Sequence, residues 1–456
     1  MFSLSDICEA TGGRVIQEGR LARFTGVSID SRMVADGDVF VAIVGDRHDA
    51  HTFISEVVAR GAGCVVAEAK RLGRMPAGAA FVAVSDTTKA LGLLASFHRR
   101  RLPVRVLCLT GTNGKTTTKE MLFLVFSTTF STLKTKGNLN NHIGLPLTLL
   151  SLNAAHQWAL CEAGMNHPGE IAYLAGLARP QIGLITNVGR GHLEGVGSIE
   201  GVAAAKRELL ESMQGGVAVL NADDPLVARM AEGFPGEVLF FGLGDRADVR
   251  AEGIRPTPEG QEFTLSLSGR RVAVALRAFG RHMVENACAA AAAGHAAGIP
   301  PEKIAAGLSE FSPVAGRLVP RPLPSGASLL DDTYNANPQS MAAALETLKA
   351  VAGGRRAFAV LGDMFELGAY ASEEHKKLGR LAGSLGLSGL FVTGDFAGET
   401  ARGAKAAGMP EDRIFSGGRD EVIRSLSSAL ADGDWVLVKG SRGMAMETIV
   451  SALLGA

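Results

Sequence analysis

Residues 109–119 of this 456-residue chain are L-T-G-T-N-G-K-T-T-T-K, and they separate an apolar, strand-like run from an apolar helical pattern. A buried strand, a turn with glycines, a lysine, adjacent hydroxyls and a helix form the usual order of a loop that binds nucleotide phosphates. Gly111 and Gly114 let backbone N–H groups close around a phosphate, and the positive end of the following helix faces the same anion. Lys115 can reach the outer phosphates, and the Thr116 hydroxyl can hold Mg²⁺. The stretch therefore predicts a nucleotide-binding unit.

This loop departs from the commonest spacing in one respect. That pattern places its first glycine six residues before the lysine, where this chain has Leu109 and has its glycine at Gly111 instead. A tight strand-to-helix turn with a chance lysine is the alternative interpretation. The residues that we predict to bind the phosphates are Gly111, Thr112, Asn113, Gly114, Lys115, Thr116 and Thr117.

The composition is that of an ordinary globular protein. With 46 basic side chains, 46 acidic side chains and 46% hydrophobic residues, neither a nucleic-acid surface nor binding to an anionic membrane is indicated. The five cysteines are far apart and include no C-x-x-C pair, which is typical of reduced core residues. We find no signal-peptide pattern and no apolar run of membrane-spanning length, and therefore expect a cytoplasmic protein.

Alternating strand and helix patterns predict an α/β fold with three domains, in line with about 150 residues per domain. Residues 1–102 are predicted to form a small N-terminal α/β domain, and residues 103–314 a central phosphate-loop-type domain with a mostly parallel sheet. Residues 315–456 repeat the strand–helix alternation and are predicted to form a C-terminal, Rossmann-like α/β domain. Because no G-x-G-x-x-G follows a strand there, we exclude a dehydrogenase.

Polar side chains follow several predicted central strands. Glu162 ends the strand at 158–162, and His192 lies in a glycine-rich turn after the strand at 182–187. Ligands collect at the carboxyl ends of strands in open α/β sheets, so both should face the nucleotide, and both are candidate Mg²⁺ partners. Lys206 lies in the next predicted helix. A structural histidine and an exposed helical lysine are the alternatives for His192 and Lys206.

Further candidate binding segments are rich in polar residues. The loop T-K-G-N-L-N-N-H-I-G at 135–144 opens an apolar helix, and its amides suit a substrate loop, although a long solvated loop has the same composition. In the third domain, polar residues again crowd the predicted strand ends, at 331–340, 362–368 and 439–444.

Six motifs, taken together in order, resemble the Mur ligase family along essentially the whole chain. They are G-T-N-G-K-T-T-T, T-x-G-N-x-N-N-x-I-G, E-A-G-M-N-H-P-G-E-I, T-N-V-G-x-x-H-L-E-x-x-G-S, D-D-T-Y-N-A-N-P-x-S-M, and the pair L-G-D-M-x-E-L-G with V-x-V-K-G-S-R. The shortened phosphate loop also resembles that of folylpolyglutamate synthetases. The last two motifs are typical of the branch of the family that adds D-Ala-D-Ala, and the D-N-P-R motif of the diaminopimelate-adding relatives is absent.

This resemblance implies a role for each matching position. ATP would be bound by the loop residues above together with Asn286, Arg317 and Asp332. Mg²⁺, as two ions, would be held by Thr116, Glu162, His192 and Lys206, the last after carbamylation. The implied catalytic residues are Lys115, Glu162, His192 and Lys206. The substrates would contact Ser31, Arg32, Asn138, Asn140, Asn141, Asn335, Asp363, Glu366, Lys439, Ser441 and Arg442. The family usually has asparagine after its histidine at position 282, where this chain has Met283.

The resemblance also implies a reaction. The γ-phosphoryl group of ATP would pass to the terminal carboxylate of UDP-N-acetylmuramoyl-tripeptide, and D-Ala-D-Ala would attack the resulting acyl phosphate to give a precursor of peptidoglycan. Because water must be excluded from such an intermediate, we predict that the third domain closes over the central one. We expect a monomer. Another branch of the family, a folylpolyglutamate-type ligase and, more remotely, a phosphate-loop ATPase or regulator are the alternatives.

Overall fold

The computed structural model describes residues 1–45, 48–73, 75–191 and 193–455. Their strands form four sheets, of two, five, nine and six strands. Most neighbouring strands in the three larger sheets are parallel and are connected through helices, which confirms the predicted α/β class. In these four segments, no helix is both long and apolar enough to cross a membrane.

The first sheet region precedes the phosphate loop. Its elements are, in order, β1 (Phe2–Ser3), α1 (Leu4–Thr11), β2 (Arg14–Gln17), β3 (Arg23–Phe24), β4 (Val27–Ser28), a 3₁₀ turn (Ser31–Met33), β5 (Val39–Val41), a 3₁₀ turn (Ala50–Phe53), α2 (Ile54–Ala59), β6 (Cys64–Glu68), a 3₁₀ turn (Ala69–Arg71), β7 (Ala80–Val84) and α3 (Thr87–Arg100). The five-stranded sheet has the order β2-β7-β6-β5-β4, with β2 antiparallel to β7.

The central sheet region contains the phosphate loop. Its elements are β8 (Arg105–Thr110), α4 (Lys115–Ser127), β9 (Thr132–Lys134), α5 (Gly144–Leu150), β10 (Trp158–Glu162), α6 (Glu170–Ala178), β11 (Ile182–Ile185), α7 (Leu193–Val196), α8 (Ile199–Glu211), β12 (Val217–Asn221), α9 (Pro225–Ala228), a 3₁₀ turn (Arg229–Ala231), β13 (Glu237–Gly242), β14 (Val249–Thr257), β15 (Gly260–Leu267), β16 (Arg270–Leu276), α10 (Arg281–Ala296) and α11 (Pro301–Ser309). The nine strands have the order β16-β15-β14-β13-β12-β11-β8-β10-β9, and only the pairs β14–β15 and β15–β16 among these described strands are antiparallel.

The C-terminal sheet region follows a proline-containing connection. Its elements are β17 (Val319–Pro322), β18 (Ser328–Asp332), α12 (Pro338–Ala352), β19 (Ala357–Leu361), a 3₁₀ turn (Gly368–Tyr370), α13 (Ala371–Ser384), β20 (Gly389–Val392), α14 (Ala397–Ala406), a 3₁₀ turn (Glu411–Arg413), β21 (Ile414–Ser416), α15 (Arg419–Ala429), β22 (Trp435–Lys439), a 3₁₀ turn (Arg442–Met444) and α16 (Glu447–Leu454). The six strands have the order β17-β18-β22-β19-β20-β21, with β17 antiparallel to β18.

The alanine-rich helix α10 packs on α4, the helix that follows the phosphate loop. Every residue from 287 to 293 is fully buried. A Cβ on Gly294 would lie 2.7 Å from Cγ1 of Val125 in α4, so only small side chains allow the two helices to approach this closely. The packing brings the first turns of α10, including Asn286, against the phosphate loop.

Two sheet ends meet at one place in the molecule. β8 lies between β10 and β11 and is parallel to both, so the carboxyl ends of these three strands share an edge. In the C-terminal sheet β18 and β22 are parallel neighbours, and Asp332 at the end of one lies opposite Lys439 at the end of the other. A cavity of about 910 Å³ is lined by residues from both sheet ends.

Candidate active site

The phosphate loop has no room for side chains at its two glycines. A Cβ on Gly111 would lie 1.8 Å from the Thr186 hydroxyl, and one on Gly114 would lie 2.3 Å from the Asn286 side-chain oxygen. Gly114 also has a φ of +81°, which favours glycine, and it immediately precedes the first residue of α4. The N-terminal end of α4 therefore opens onto the cavity, as expected for an anion site.

The end of β11 holds the same loop from the other side. The Asn187 side chain accepts from the backbone N–H of Asn113 (2.8 Å) and donates to its carbonyl (3.1 Å). The Thr186 hydroxyl donates to the same carbonyl at 2.7 Å. These bonds hold the loop through protein contacts alone, which reduces the conformational entropy that binding has to remove.

Lys115 lies inside the loop. Its ammonium donates to the carbonyls of Gly111 (2.7 Å) and Thr112 (3.3 Å). Burial lowers the pKa of Lys115, while the negative charge of Glu162 raises it and the positive charge of Arg317 lowers it further. A lysine held this way can exchange carbonyl partners for phosphate oxygens with little movement of its backbone.

Glu162 is the buried carboxylate of the site, with 1% of the residue exposed. Its oxygens accept from the Thr116 hydroxyl at 3.1 Å and from the Asn140 amide at 2.8 Å, and the Lys119 ammonium lies 3.5 Å away. Arg317 donates to the Thr116 hydroxyl at 3.1 Å from the C-terminal side of the cavity. Oxygen donors and a positive charge thus converge at the start of α4.

Lys206 lies in α8 and is 1% exposed. Burial lowers its pKa well below the usual value, and the positive charge of Lys115 acts in the same direction. We find no ion pair between Lys206 and any carboxylate of the described segments. A lysine in such surroundings is stabilised as the neutral, nucleophilic amine.

The C-terminal region contributes a buried ion pair. The Lys439 ammonium lies 2.6 Å from a carboxylate oxygen of Asp332, and it donates to the Asn335 carbonyl at 2.9 Å. Both residues line the cavity. The guanidinium of Arg317 lies 4.2 Å from the centre of the Tyr334 ring, a distance that permits a cation–π contact.

Side-chain contacts join the two regions around the cavity. The side chains of Asn113 and Asn337 exchange hydrogen bonds of 2.7 and 3.3 Å. Gln339 accepts from the backbone N–H of Arg190 at 3.0 Å, and the Arg190 guanidinium lies 2.5 Å from Glu374. The C-terminal region therefore rests directly on the phosphate loop and on the turn after β11.

Most of the residues predicted from the sequence line this cavity. They are Thr112, Asn113, Gly114, Lys115, Thr116, Thr117, Asn140, Glu162, Asn286, Arg317, Asp332, Asn335, Glu366, Lys439, Ser441 and Arg442. Gly111 and Lys206 are not among the lining residues: Gly111 packs against Thr186, and Lys206 is buried in α8. His192 lies outside the described residues.

Five predicted substrate residues do not line the cavity. Asp363 is 3% exposed, and its two oxygens accept from the backbone N–H groups of Asp395 and Phe396 at 2.8 and 3.1 Å. Its substrate role stays a prediction. Asn141 accepts from the N–H of Gly144 at the start of α5, and Asn138 is exposed in the same loop. The other two lie in the N-terminal region, where Arg32 pairs with Asp30 at 2.7 Å and follows Ser31 in a 3₁₀ turn.

Three further side chains, which the predicted site residues do not include, shape the site. Lys119 lies one helical turn after Lys115, and this i, i+4 spacing was the available signal. Asn187 follows a buried strand, which is a usual place for ligand-binding groups. Asn337 directly precedes Pro338 and so was recognisable as a helix N-cap, but its bond to the phosphate loop depends on how the two regions pack.

The fold and the cavity define a class: an α/β enzyme with a phosphate loop, a buried carboxylate beside it and a second sheet region closed against the loop. Models of the Mur ligase family match most of the chain: "Mur ligase family, catalytic domain" at residues 23–99, "Mur ligase middle domain" at 109–294 and "Mur ligase, glutamate ligase domain" at 316–442. The chain belongs to the Mur ligase family.

Relatives of known name match over nearly the full length. The UDP-N-acetylmuramoyl-tripeptide–D-alanyl-D-alanine ligase of Escherichia coli (strain K12) is 38% identical over 99% of this chain and 98% of that one. A crystal structure of MurF from Acinetobacter baumannii superposes with a TM-score of 0.89 at 34% identity, covering 100% of this chain and 99% of that one. MurF ligase from Thermotoga maritima in complex with ADP has a TM-score of 0.83 at 28% identity, covering 94% and 97% of the two chains.

Proposed function

We propose that this protein is the ligase that joins D-Ala-D-Ala to the terminal carboxylate of UDP-N-acetylmuramoyl-tripeptide at the expense of ATP. Identity of 38% over 99% of the chain to a relative of that name supports the assignment, as does likeness to a relative solved with ADP. The observation that carries the proposal is the single cavity in which the phosphate loop and Glu162 face Arg317 and Asp332 of the C-terminal region.

The loop residues receive the phosphates of ATP. Backbone N–H groups at the start of α4 and the Lys115 ammonium supply positive charge where the transferred phosphoryl group carries negative charge. Arg317, which already reaches Thr116, adds a second cation from the opposite wall. Phosphoryl transfer depends mainly on such positioning and charge stabilisation.

The residues beside the loop suit Mg²⁺. The Thr116 hydroxyl and the Glu162 carboxylate lie 3.1 Å apart, and both are the oxygen ligands that Mg²⁺ prefers. In the described segments no cluster of three or more His, Cys, Asp or Glu side chains forms a metal site. We propose that the nucleotide, water or a modified residue supplies further oxygen ligands. Bound there, Mg²⁺ would neutralise phosphate charge.

Lys206 is the residue that we propose to be modified. A neutral buried amine can add to carbon dioxide, forming an N–C bond and releasing one proton, which turns the lysine into a carbamate monoanion. The absence of an ion-pair partner in the described segments and the lowered pKa of Lys206 support this modification. It would place a second anionic oxygen ligand near Lys115.

The chemistry then has two steps. A carboxylate oxygen of the UDP-linked tripeptide attacks the γ-phosphorus of ATP, and ADP leaves. The amine of D-Ala-D-Ala attacks the acyl carbon, an amide forms, and phosphate leaves together with the proton of the amine. The contacts of Asn337 with Asn113 and of Arg190 with Glu374 support closure, which keeps water from the acyl phosphate.

We assign the three regions of the chain to the three reactants. Residues 1–102 bind the uridine end of the substrate through Ser31 and Arg32, and residues 103–314 bind ATP. Residues 315–456 bind the dipeptide, whose carboxylate suits the guanidinium of Arg442 at the cavity wall. The remaining predicted substrate contacts are Asn138, Asn140, Asn141, Asn335, Asp363, Glu366, Lys439 and Ser441. We place the enzyme in the cytoplasm, as a monomer.

Phosphate release from ATP and Mg²⁺ tests this function. We expect release that requires both UDP-N-acetylmuramoyl-tripeptide and D-Ala-D-Ala, with a pentapeptide product identified by mass. Release with another amine acceptor in place of the dipeptide would reassign the chain to another branch of the family or to a folylpolyglutamate-type activity. Release that ignores every acceptor would leave a phosphate-loop ATPase.

A further inference from the structure

Lys119 is a buried cation to which the reaction above gives no part. It lies in α4 one turn after Lys115, and its residue is 0% exposed. Its ammonium donates to the carbonyl of Gly137 at 3.0 Å and lies 3.5 Å from a carboxylate oxygen of Glu162. It also lies 3.5 Å from Glu120, but that carboxylate makes a closer ion pair with Lys134.

The contacts of Lys119 connect two parts of the site. Gly137 belongs to the asparagine-rich loop, residues 135–144, whereas Glu162 ends β10. The same loop contacts Glu162 twice more, because Asn140 donates to its carboxylate at 2.8 Å and the Thr135 hydroxyl accepts from its backbone N–H at 3.1 Å. Lys119 thus completes a closed set of contacts between α4, the asparagine-rich loop and the buried carboxylate.

Stability alone does not explain a lysine at this position. Burying an ammonium and a carboxylate costs solvation energy that their attraction often only balances, and apolar replacements of similar volume are frequently neutral or stabilising. A methionine would fill the same space in α4 without that cost. The charged pair does, however, fix the direction of both partners, which an apolar side chain cannot do.

We propose that Lys119 is a positioning residue that holds Glu162 and the asparagine-rich loop in one arrangement, so that the site for the UDP-linked substrate and the phosphate site are assembled together. The proposal rests on the proposed function for the identity of that substrate. The contacts themselves are independent of it. Lys119 acts through Glu162 and Gly137 and needs no contact with a reactant.

Hydrogen exchange of the free protein tests the arrangement without any substrate. We compare wild type with Lys119→Met, with Lys119→Arg, which retains donor and charge, and with Lys303→Met, which removes an exposed lysine of α11. We expect amides of residues 135–144 to exchange about tenfold faster in Lys119→Met, near the wild-type rate in Lys119→Arg and at the wild-type rate in Lys303→Met. Unchanged exchange in Lys119→Met overturns the proposal.

Kinetics give a second readout that a purely structural role would not produce. We expect Lys119→Met to lower kcat/KM for UDP-N-acetylmuramoyl-tripeptide by about 10- to 100-fold, the usual range for residues that orient a ligand-binding group, with KM for D-Ala-D-Ala within about twofold. Lys119→Arg should recover most of the loss. A KM for D-Ala-D-Ala that rises as much as the KM for UDP-N-acetylmuramoyl-tripeptide would contradict a positioning role. So would a Lys119→Arg variant that recovers none of the lost kcat/KM.

Two outcomes need separate treatment. If Lys119→Met has no cooperative thermal transition, Lys119→Gln is measured by hydrogen exchange instead, because it keeps an N–H donor but removes the charge. Faster exchange of residues 135–144 then supports the proposal, and unchanged exchange overturns it. If the wild type itself forms no pentapeptide, the proposed function fails, whereas the exchange result on Lys119 remains valid.

Discussion

The two sheet ends that meet at the cavity differ in their balance of charge. At the central end, Lys115 and Lys119 approach the single buried carboxylate of Glu162, and Lys206 lies buried behind Lys115. At the C-terminal end, Lys439 and Asp332 form a close pair at 2.6 Å on directly opposed strand positions. These four side chains of the central end together carry a net positive charge, whereas the C-terminal pair is neutral; the carboxylates of Asp223, Asp224 and Glu285 also line the cavity from the central region.

This difference shows which reactant each end is suited to. Excess buried positive charge is unfavourable in the free protein and becomes favourable when a polyanion such as a triphosphate binds. A neutral pair gains little from a polyanion, but it can orient a zwitterion, such as a dipeptide, through its separate charges. The same secondary structure, a parallel strand ending in a polar loop, thus serves two kinds of ligand through charge alone.

Removing a cation from the central end should have the largest effect on activity. We expect Lys115→Met to reduce kcat/KM for ATP by about 10³-fold, because the transferred phosphoryl group loses its nearest fixed positive charge. Phosphate release with both acceptor substrates present measures this change. Lys303→Met, an equal change of charge at an exposed site, serves as the control. A loss of less than tenfold would show that the excess charge of the central end does not act on the phosphates.

Breaking the pair at the C-terminal end should lower stability as well as disturb the cavity wall. Asp332→Asn leaves the Lys439 ammonium, whose side chain is 3% exposed, without its carboxylate. We expect the free energy of unfolding to fall by about 3 kcal/mol, the usual cost of a buried charge that has lost its partner. Urea unfolding at neutral pH measures this loss.

The double variant Asp332→Asn/Lys439→Met sharpens that test. It removes both charges and should be more stable than Asp332→Asn alone, since no unpaired ammonium remains buried. If the single and double variants unfold at the same urea concentration, the two side chains do not act as a neutral pair, and the contrast between the sheet ends is wrong.

Loss of the hydrogen bonds between Asn337 and Asn113, which join the two ends, should have a smaller effect on activity. Asn337 both caps α12, by accepting from the Ser340 N–H at 2.9 Å, and bonds to Asn113 of the phosphate loop. Asn337→Ser retains a good N-cap but is too short to reach the loop. We expect KM for ATP to rise about fivefold, equivalent to about 1 kcal/mol for the lost hydrogen bonds, with little change in stability.

A double-mutant cycle identifies the origin of that change. If Asn337 acts through Asn113, then Asn113→Ser should raise KM for ATP by a similar factor, and the two substitutions together should cost no more than one of them. Fully additive effects would mean that each asparagine binds the nucleotide separately and that their mutual bonds do not join the two ends.

Much of the site could be predicted from the sequence because its signals are local. The strand, glycines and lysine at 109–115 follow one another directly, and Glu162 ends an apolar strand, so the general rule for parallel sheets places both at one edge. The comparisons agree with the family that the motifs indicated. These predictions needed no knowledge of which helix faces pack together.

The contacts that the sequence does not indicate concern side chains whose partners lie far along the chain. Asp363 follows a strand just as Glu162 does, but its oxygens accept from N–H groups more than 30 residues later in the chain. Its sequence context does not distinguish the two cases. For Lys119, the helical spacing indicates a shared face with Lys115, but only the position of the asparagine-rich loop determines that this face is buried.

His282 links the two ends and gives the smallest predicted effect. It lies in the first turn of α10, and burial lowers its pKa to about 4, with the charge of Asp332 raising it and that of Lys439 lowering it. The unfolded chain, with an ordinary histidine pKa near 6.5, therefore binds a proton that the folded protein does not bind until the pH nears 4. Stability should fall as the pH drops through this window.

His282→Gln removes that proton-linked loss. We expect the variant to gain about 1 kcal/mol of stability relative to the wild type when both are moved from pH 7.5 to about pH 5.8, as measured by urea unfolding. His142→Gln, which removes an exposed imidazole, is the control. Equal pH dependence in wild type and His282→Gln would mean that the ring is open to solvent and outside the field of the Asp332–Lys439 pair. The two sheet ends would then be in contact through Asn337 without sharing their electrostatics.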